Sequence, residues 1–347
     1  MSGKFWPPLA EKSAWLQIQK NDDTHNRLFN LITSGGLQPE KKLRGHTDLK
    51  LLYNMFRKGL LKIDPSGVIV IKHVDLLTGQ EYDAISVPRH IYPAIIQSLH
   101  IKLCHPSRNQ LSKLASRYFH SVGSSNTLDD IHKSCQTCTS LSQIKTPLQQ
   151  FSTSKVSTFG SSFSADVLVT ENQKIFICRE KLSQHIYSKL IPDEKSETLR
   201  EAILDSVIHL IPTSGTTIQV DAAPSLQSIA NSFVSLQSDD ILRSNNICLD
   251  IGRIHNPNKN PVAENAVKEF CKEILRLKPR GGPISETERI IVTRNINSRI
   301  RNRGLSAKEI LLRRELANNT PAPIDDESLS EQQYDLRMKT NLKHNLN

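Results

Sequence analysis

The feature that most restricts how this chain can fold is a His-x4-His pair, His100 and His105, followed after 29 residues by a Cys-x2-Cys pair, Cys135 and Cys138. Two thiolates on one tight turn reach a single ion together. Two imidazoles five positions apart converge from a helix end and the turn after it. The four donors make the tetrahedral nitrogen and sulfur set that Zn2+ prefers in closed structural sites. Cys104, His120 and His132 lie close by and could exchange with a ligand; Cys104, next to His105 with its side chain directed away, reads as a core residue. A redox-active Cys-x2-Cys pair would need a thioredoxin-like strand ahead of it, and residues 129–133 do not resemble one.

Six cysteines in 347 residues are too few for a disulfide framework. The start, Met-Ser-Gly-Lys-Phe-Trp-Pro-Pro, lacks the apolar segment of a secretory signal. The longest β-like apolar run, 68–71, is too short to span a bilayer, so no membrane association is expected. A reducing cytosolic or nuclear compartment follows. With a net charge of +10 and a pI of 9.3, the chain is drawn to polyanions, of which nucleic acid is the commonest large one. A merely basic soluble enzyme fits the charge equally well. The charge is concentrated, however: residues 253–315 hold 15 Lys and Arg against 7 Asp and Glu, a net of +8.

Residues 13–34 suit an amphipathic helix or two, ended by Ser34-Gly35-Gly36. Short strands at 60–63, 68–73 and 83–87, punctuated by Pro65-Ser66-Gly67 and Thr78-Gly79-Gln80, make 45–90 a helix-plus-hairpin unit. Helices are expected at 91–104, 107–118 and 126–134. Beyond them the pattern changes to three strands (162–169, 174–179, 186–190), a helix (197–211) and strands at 216–221 and 246–251. A helix at 261–277 and a second long one at 285–312, broken at Gly304, complete it. That order implies a mixed α/β sheet. The expected division is a small α+β amino-terminal unit at 1–90, a helical zinc-binding module at 91–140, a linker at 141–157 and an α/β core at 158–280. A basic helical extension at 281–315 and a polar, disordered tail at 316–347 follow.

An acid inside an apolar strand is costly unless it is paired or bound to metal. Asp166, in Phe163-Ser164-Ala165-Asp166-Val167-Leu168, is one such acid, and Asp221, ending Thr217-Ile218-Gln219-Val220-Asp221, is a second. Glu264 stands near the start of the 261–277 helix, and the three are separated by 54 and 42 residues. Carboxylates are hard oxygen ligands suited to Mg2+ or Mn2+. Two such ions about 3.5–4 Å apart serve the attacking and leaving oxygens of a phosphodiester exchange. Each acid also has an everyday reading: Asp221 as a turn former before Pro224, Glu264 as a first-turn acid favoured by the helix dipole.

Taken together, Leu99-His100, His105-Pro106-Ser107, Ser116-Arg117-Tyr118-Phe119 and Cys135-Gln136-Thr137-Cys138 resemble the HHCC zinc module of retroviral and retrotransposon integrases. The ordered Asp166, Asp221 and Glu264 resemble their Asp-Asp-Glu centre. The likeness spans residues 90–310 and points to the integrase of a gypsy-type LTR retrotransposon. It implies an RNase H-like core with the acids on the first strand, after the fourth, and on a later helix. It also implies structural Zn2+ on His100, His105, Cys135 and Cys138, and catalytic Mg2+ or Mn2+ on the three acids. The activity implied is metal-dependent trimming of a DNA 3′ end and its transfer to target DNA, by a homo-oligomer acting in the nucleus after a cytoplasmic stage. Lys268, one turn after Glu264, together with Asn260 and Lys272, are the residues placed at DNA. The chain departs from many members at Ser107 and Pro261, where they carry Gly, at Leu111, where they carry Thr, and at Asp221-Ala222-Ala223, which lacks a Gly. A reading of a different class makes the chain a DNA-binding protein derived from an integrase, catalytically idle or adopted by its host. A ribonuclease H proper would show another acid pattern and no HHCC module.

Overall fold

The computed structural model describes residues 12–34, 45–74, 81–142, 156, 158–170, 172–232, 241–251, 260–301, 304–316 and 319–345. The chain divides into two compact units, 1–143 and 144–347. Among the described residues no helix is long and apolar enough to cross a membrane.

The first unit opens with α1 (Lys12–Asn21), α2 (Asp23–Thr33) and α3 (Thr47–Arg57), followed by β1 (Leu61–Ile63), β2 (Ile69–Val74) and β3 (Glu81–Ser86). Asp64 shapes the turn from β1 to β2. Its Oδ1 accepts from Ser66 N at 2.9 Å and Val68 N at 3.0 Å, and its Oδ2 from Lys12 Nζ at 2.7 Å. Burial acts to raise the pKa of Asp64, but these donors hold it down at about 2. Next come α4 (Tyr92–Lys102), α5 (Arg108–Tyr118), β4 (Phe119–His120), α6 (Ser124–Ser134) and α7 (Gln136–Ser142). Short as it is, β4 pairs in parallel with β3, Ile85 opposite Phe119 and Ser86 opposite His120, so the sheet runs β1-β2-β3-β4. One core then holds Trp15, Val68 and Val70 together with Ile96, Leu99 and Leu111. The boundary expected at residue 90 is therefore corrected. The hairpin unit and the helical module share a sheet and a core.

The second unit contains β5 (Ser162–Thr170), β6 (Gln173–Glu180), β7 (Ile186–Ile191), α8 (Ser196–Val207), β8 (Thr216–Val220), α9 (Pro224–Ser232), α10 (Ile241–Ser244) and β9 (Ile247–Ile251). It ends with α11 (Pro261–Leu277), α12 (Glu286–Ser298), α13 (Ala307–Leu312) and α14 (Asp326–Asn345). The sheet order is β7-β6-β5-β8-β9. β5, β6 and β7 are mutually antiparallel neighbours, while β8 and β9 join in parallel. Alternate residues of β6 serve two layers. Phe176 and Cys178 pack with Phe163, Ile203 of α8 and Leu226 of α9. Ile175 and Ile177 pack with Phe270 of α11 and Val292 and Ile296 of α12. This is the mixed α/β class that the order of elements implies.

Three expectations are corrected here. The 281–315 segment is no appendage: Ile284, Val292 and Ile296 lie in the core with Phe270. Asn297 exchanges two 2.8 Å hydrogen bonds with the backbone of Ile186, and Gln173 exchanges bonds of 2.9 and 2.7 Å with that of Ile284. The helix expected over 285–312 with a break at Gly304 already ends at Ser298, and a second helix starts at Ala307. An isolated bridge between Ile300 and Ser306 encloses Gly304, whose φ of 88° suits glycine, and a Ser306/Glu309 capping box starts α13. Within 316–347, expected to be disordered, α14 is present, with Leu329 buried and Gln333 donating to Leu182 O. The expected linker, 141–157, lies almost wholly outside the described residues.

Charge fixes α11 as well as apolar contact does. Glu269 pairs with Arg179 of β6 and, at 3.3 Å, with Arg301. Burial acts to raise its pKa, but Arg301, Arg179 and Arg299 hold it at about 2. Glu273, fully buried, pairs with Arg299 and, at 2.9 Å, with Arg276. Removing one member of a buried ion pair strands the other, so Glu273→Ala is expected to lower the stability of this unit by about 3–5 kcal/mol in urea unfolding. A loss below about 1 kcal/mol would mean that the cluster behaves like a surface pair.

Candidate functional site

His100 lies in the last turn of α4 and is 2% exposed. The chain then turns sharply through left-handed φ values at Cys104 (52°) and His105 (56°), and His105 N donates to His100 O at 2.8 Å. That turn brings the second imidazole back to the first. From the other side, α6 ends at Cys135 and α7 begins, with Thr139 N donating to Cys135 O at 3.0 Å. His105 Nδ1 stands 3.0 Å from His100 Nε2 and 3.1 Å from Cys135 Sγ, and Cys138 Sγ stands 3.4 Å from His100 Nε2. All four donor atoms lie within 4.8 Å of one another. Zn–N bonds of about 2.0–2.1 Å and Zn–S bonds of about 2.3 Å imply tetrahedral edges of about 3.3–3.8 Å, so the donors fit a zinc ion. Cys104, His120 and His132 are not in this group. Cys104, expected in the core, is half-buried because its backbone forms the turn. Ser107, which stands where many integrases have Gly, forms the capping box of α5 with Gln110.

The acids are placed by strand register. In the parallel pair of β5 and β8, Ser162 is opposite Thr217, Phe163 opposite Ile218 and Ser164 opposite Gln219. Asp166 and Asp221 each lie two residues beyond that last pair. Both line a cavity of about 270 Å³ that Leu199, Ala222 and Glu194 also line. Glu194 precedes α8 and pairs with Lys174 of β6 at 3.0 Å. Reasoning from sequence missed this fourth carboxylate, because Pro192-Asp193-Glu194-Lys195 reads as an ordinary polar approach to a helix and no spacing marks it.

Glu264 is reached through Asn260, the residue before α11. Glu264 N donates to Asn260 O at 3.0 Å, and Asn260 Nδ2 donates to Ala165 O at 3.0 Å and Gln219 O at 3.3 Å. The helical rise then carries Glu264 about 6 Å along the axis from the seam of β5 and β8. Pro261 occupies the first helical position, where its missing N–H costs nothing. Asp166 and Asp221 line one cavity and Glu264 stands on α11, but the three acids do not close into a three-ligand group; among the described residues only the His and Cys set does. Like charges repel, and Glu264 Oε2 leans instead on Lys268 Nζ at 3.6 Å. Carboxylates are the hard oxygen donors that divalent ions such as Mg2+ or Mn2+ take. Lys268 and Lys272, four and eight residues after Glu264, follow it along one stripe of α11, both partly exposed. Asn260, placed at DNA by the resemblance, is 1% exposed, and its amide bridges the two strands. The segment 252–259 before it lies outside the described residues.

No family model matches the chain, and no curated protein matches it. Among solved structures, the chain is similar to the catalytic core domain of BIV integrase, at 19% identity and a TM-score of 0.35, with 44% of this chain and 94% of that one covered.

Proposed function

We propose that this chain is a DNA-joining enzyme of the integrase type, specifically that of a gypsy-type LTR retrotransposon. The observation that supports the reading is that Asp166 and Asp221 line one cavity, while Asn260 ties the start of the helix bearing Glu264 to their strands. Asp166, Asp221 and Glu264 would hold Mg2+ or Mn2+, ions that activate an attacking oxygen and stabilise a leaving one. His100, His105, Cys135 and Cys138 make a closed four-ligand set with no position left for substrate, so zinc there is structural. Lys268 and Lys272 would meet the phosphates of a DNA end, and the +8 balance of 253–315 supports DNA as the partner. A homo-oligomer goes with the reading, since two DNA ends are joined to one target, and so does action in the nucleus, where that target lies.

The test is a strand-transfer assay with purified chain, short duplexes and Mg2+ or Mn2+. Joined products are expected, together with DNA affinity that falls with salt at a log–log slope of roughly −0.9 per neutralised phosphate. Lys268→Ala should weaken uptake of DNA ends and flatten that slope by about 1. Binding without joining in either metal would instead make the chain an idle or host-adopted DNA-binding relic.

A further inference from the structure

An asparagine at a helix N-cap ordinarily turns its side-chain oxygen onto the free N–H groups of the first turn. Asn260 does not, and α11 begins without a side-chain cap. Its Nδ2 is directed to two carbonyls on adjacent strands, Ala165 O at 3.0 Å and Gln219 O at 3.3 Å. Ala165 directly precedes Asp166, and Gln219 stands two residues before Asp221. The main-chain oxygen of Asn260 meanwhile accepts from Glu264 N at 3.0 Å. One residue thus touches all three segments that carry the acids. It is 1% exposed, and its Oδ1 is buried with no hydrogen-bond partner among the described residues. Buried polar groups are nearly always satisfied, so an amide that leaves its oxygen unmet and its helix uncapped is placed for the bridge it makes.

We infer that Asn260 is a positioning residue for the divalent ions: by clamping β5, β8 and the start of α11 it sets the distance from Glu264 to the Asp166 and Asp221 pair, and with it the affinity of that edge for metal. The inference rests on the proposed function, which takes the three acids as metal ligands. Ser and Asp are the informative replacements. Both are good N-caps, so α11 keeps its start. Neither reproduces the bridge, since a hydroxyl has one proton to donate and a carboxylate none.

The experiment uses the full chain and Mn2+ alone as the probe, with bound Mn2+ read by electron paramagnetic resonance. Zinc content and circular dichroism report the fold, and DNA affinity is measured without divalent metal. If the wild-type chain shows no Mn2+ binding that Asp166→Asn removes, the proposed function has failed, and this inference falls with it. If such binding is present, Asn260→Ser and Asn260→Asp should weaken it about 10–100-fold, with zinc content, circular dichroism and DNA affinity unchanged. Wild-type Mn2+ affinity in a folded variant overturns the inference while the proposed function stands. A loss of DNA affinity with intact Mn2+ binding does the same, and makes Asn260 the DNA contact of the resemblance. Two replacements of different charge guard against misfolding of either one.

Discussion

Stripping zinc from the full chain is expected to unfold the whole first unit, from α1 to α7, and not only the helices that hold the ion. A structural zinc is worth about 10–16 kcal/mol to a small module, which matches or exceeds the roughly 5–15 kcal/mol that keeps a typical domain folded. The module here cannot loosen alone. β4 is hydrogen-bonded to β3, and Leu99 and Leu111 share a core with Trp15 and Val68. Metal analysis should find one zinc per chain. Hydrogen exchange after chelation should show the amides of β2 and β3 losing protection together with those of α4 to α6, while the second unit keeps its own. Cys135→Ser should act in the same direction. Strands that stayed protected after the zinc had left would show the hairpin to be an independent domain.

Asp166→Asn is expected to abolish DNA joining, with a fall of about 10³-fold or more, equivalent to at least about 4 kcal/mol of barrier. Only the charge that holds metal is removed, and the amide is nearly the same size. Circular dichroism and DNA affinity at low salt should therefore stay at the wild-type level. Asp166 lines one cavity with Asp221 and Glu194, so neutralising it relieves repulsion, and the melting temperature without divalent ion should not fall. Joining at the wild-type rate by this variant would place the active site elsewhere in the chain.

The parts of this molecule that could be read from sequence are those written in local pattern. Apolar alternation placed β5 and β6 to within a residue or two, since both faces of β6 are buried and every second side chain serves a different layer. The zinc ligands were legible because spacing alone forces convergence. Asp166 and Asp221 were legible as acids in apolar surroundings, although their meeting at one cavity depends on strands far apart in the chain. What was missed depends on tertiary contact. β4 is two residues long and exists only because β3 lies beside it. α14 carries little apolar content, yet Leu329 is buried. Asn260 looked like a loop residue open to ligand, because nothing in a sequence reveals that two strand carbonyls wait above it. Glu194 was hidden for the same reason.

The amide clasps of the second unit bear on how it is made. Asn297 with Ile186, and Gln173 with Ile284, each join positions 111 residues apart. Contacts of such long range reward the chain only after a large loop has closed, which slows folding. At synthesis rates of about 5–20 residues per second, α12 follows β7 out of the ribosome by about 6–20 s. Until then Ile175, Ile177 and Ile186 lack the cover of α12. The core of this unit is therefore completed late, only after its carboxyl-terminal helices have emerged.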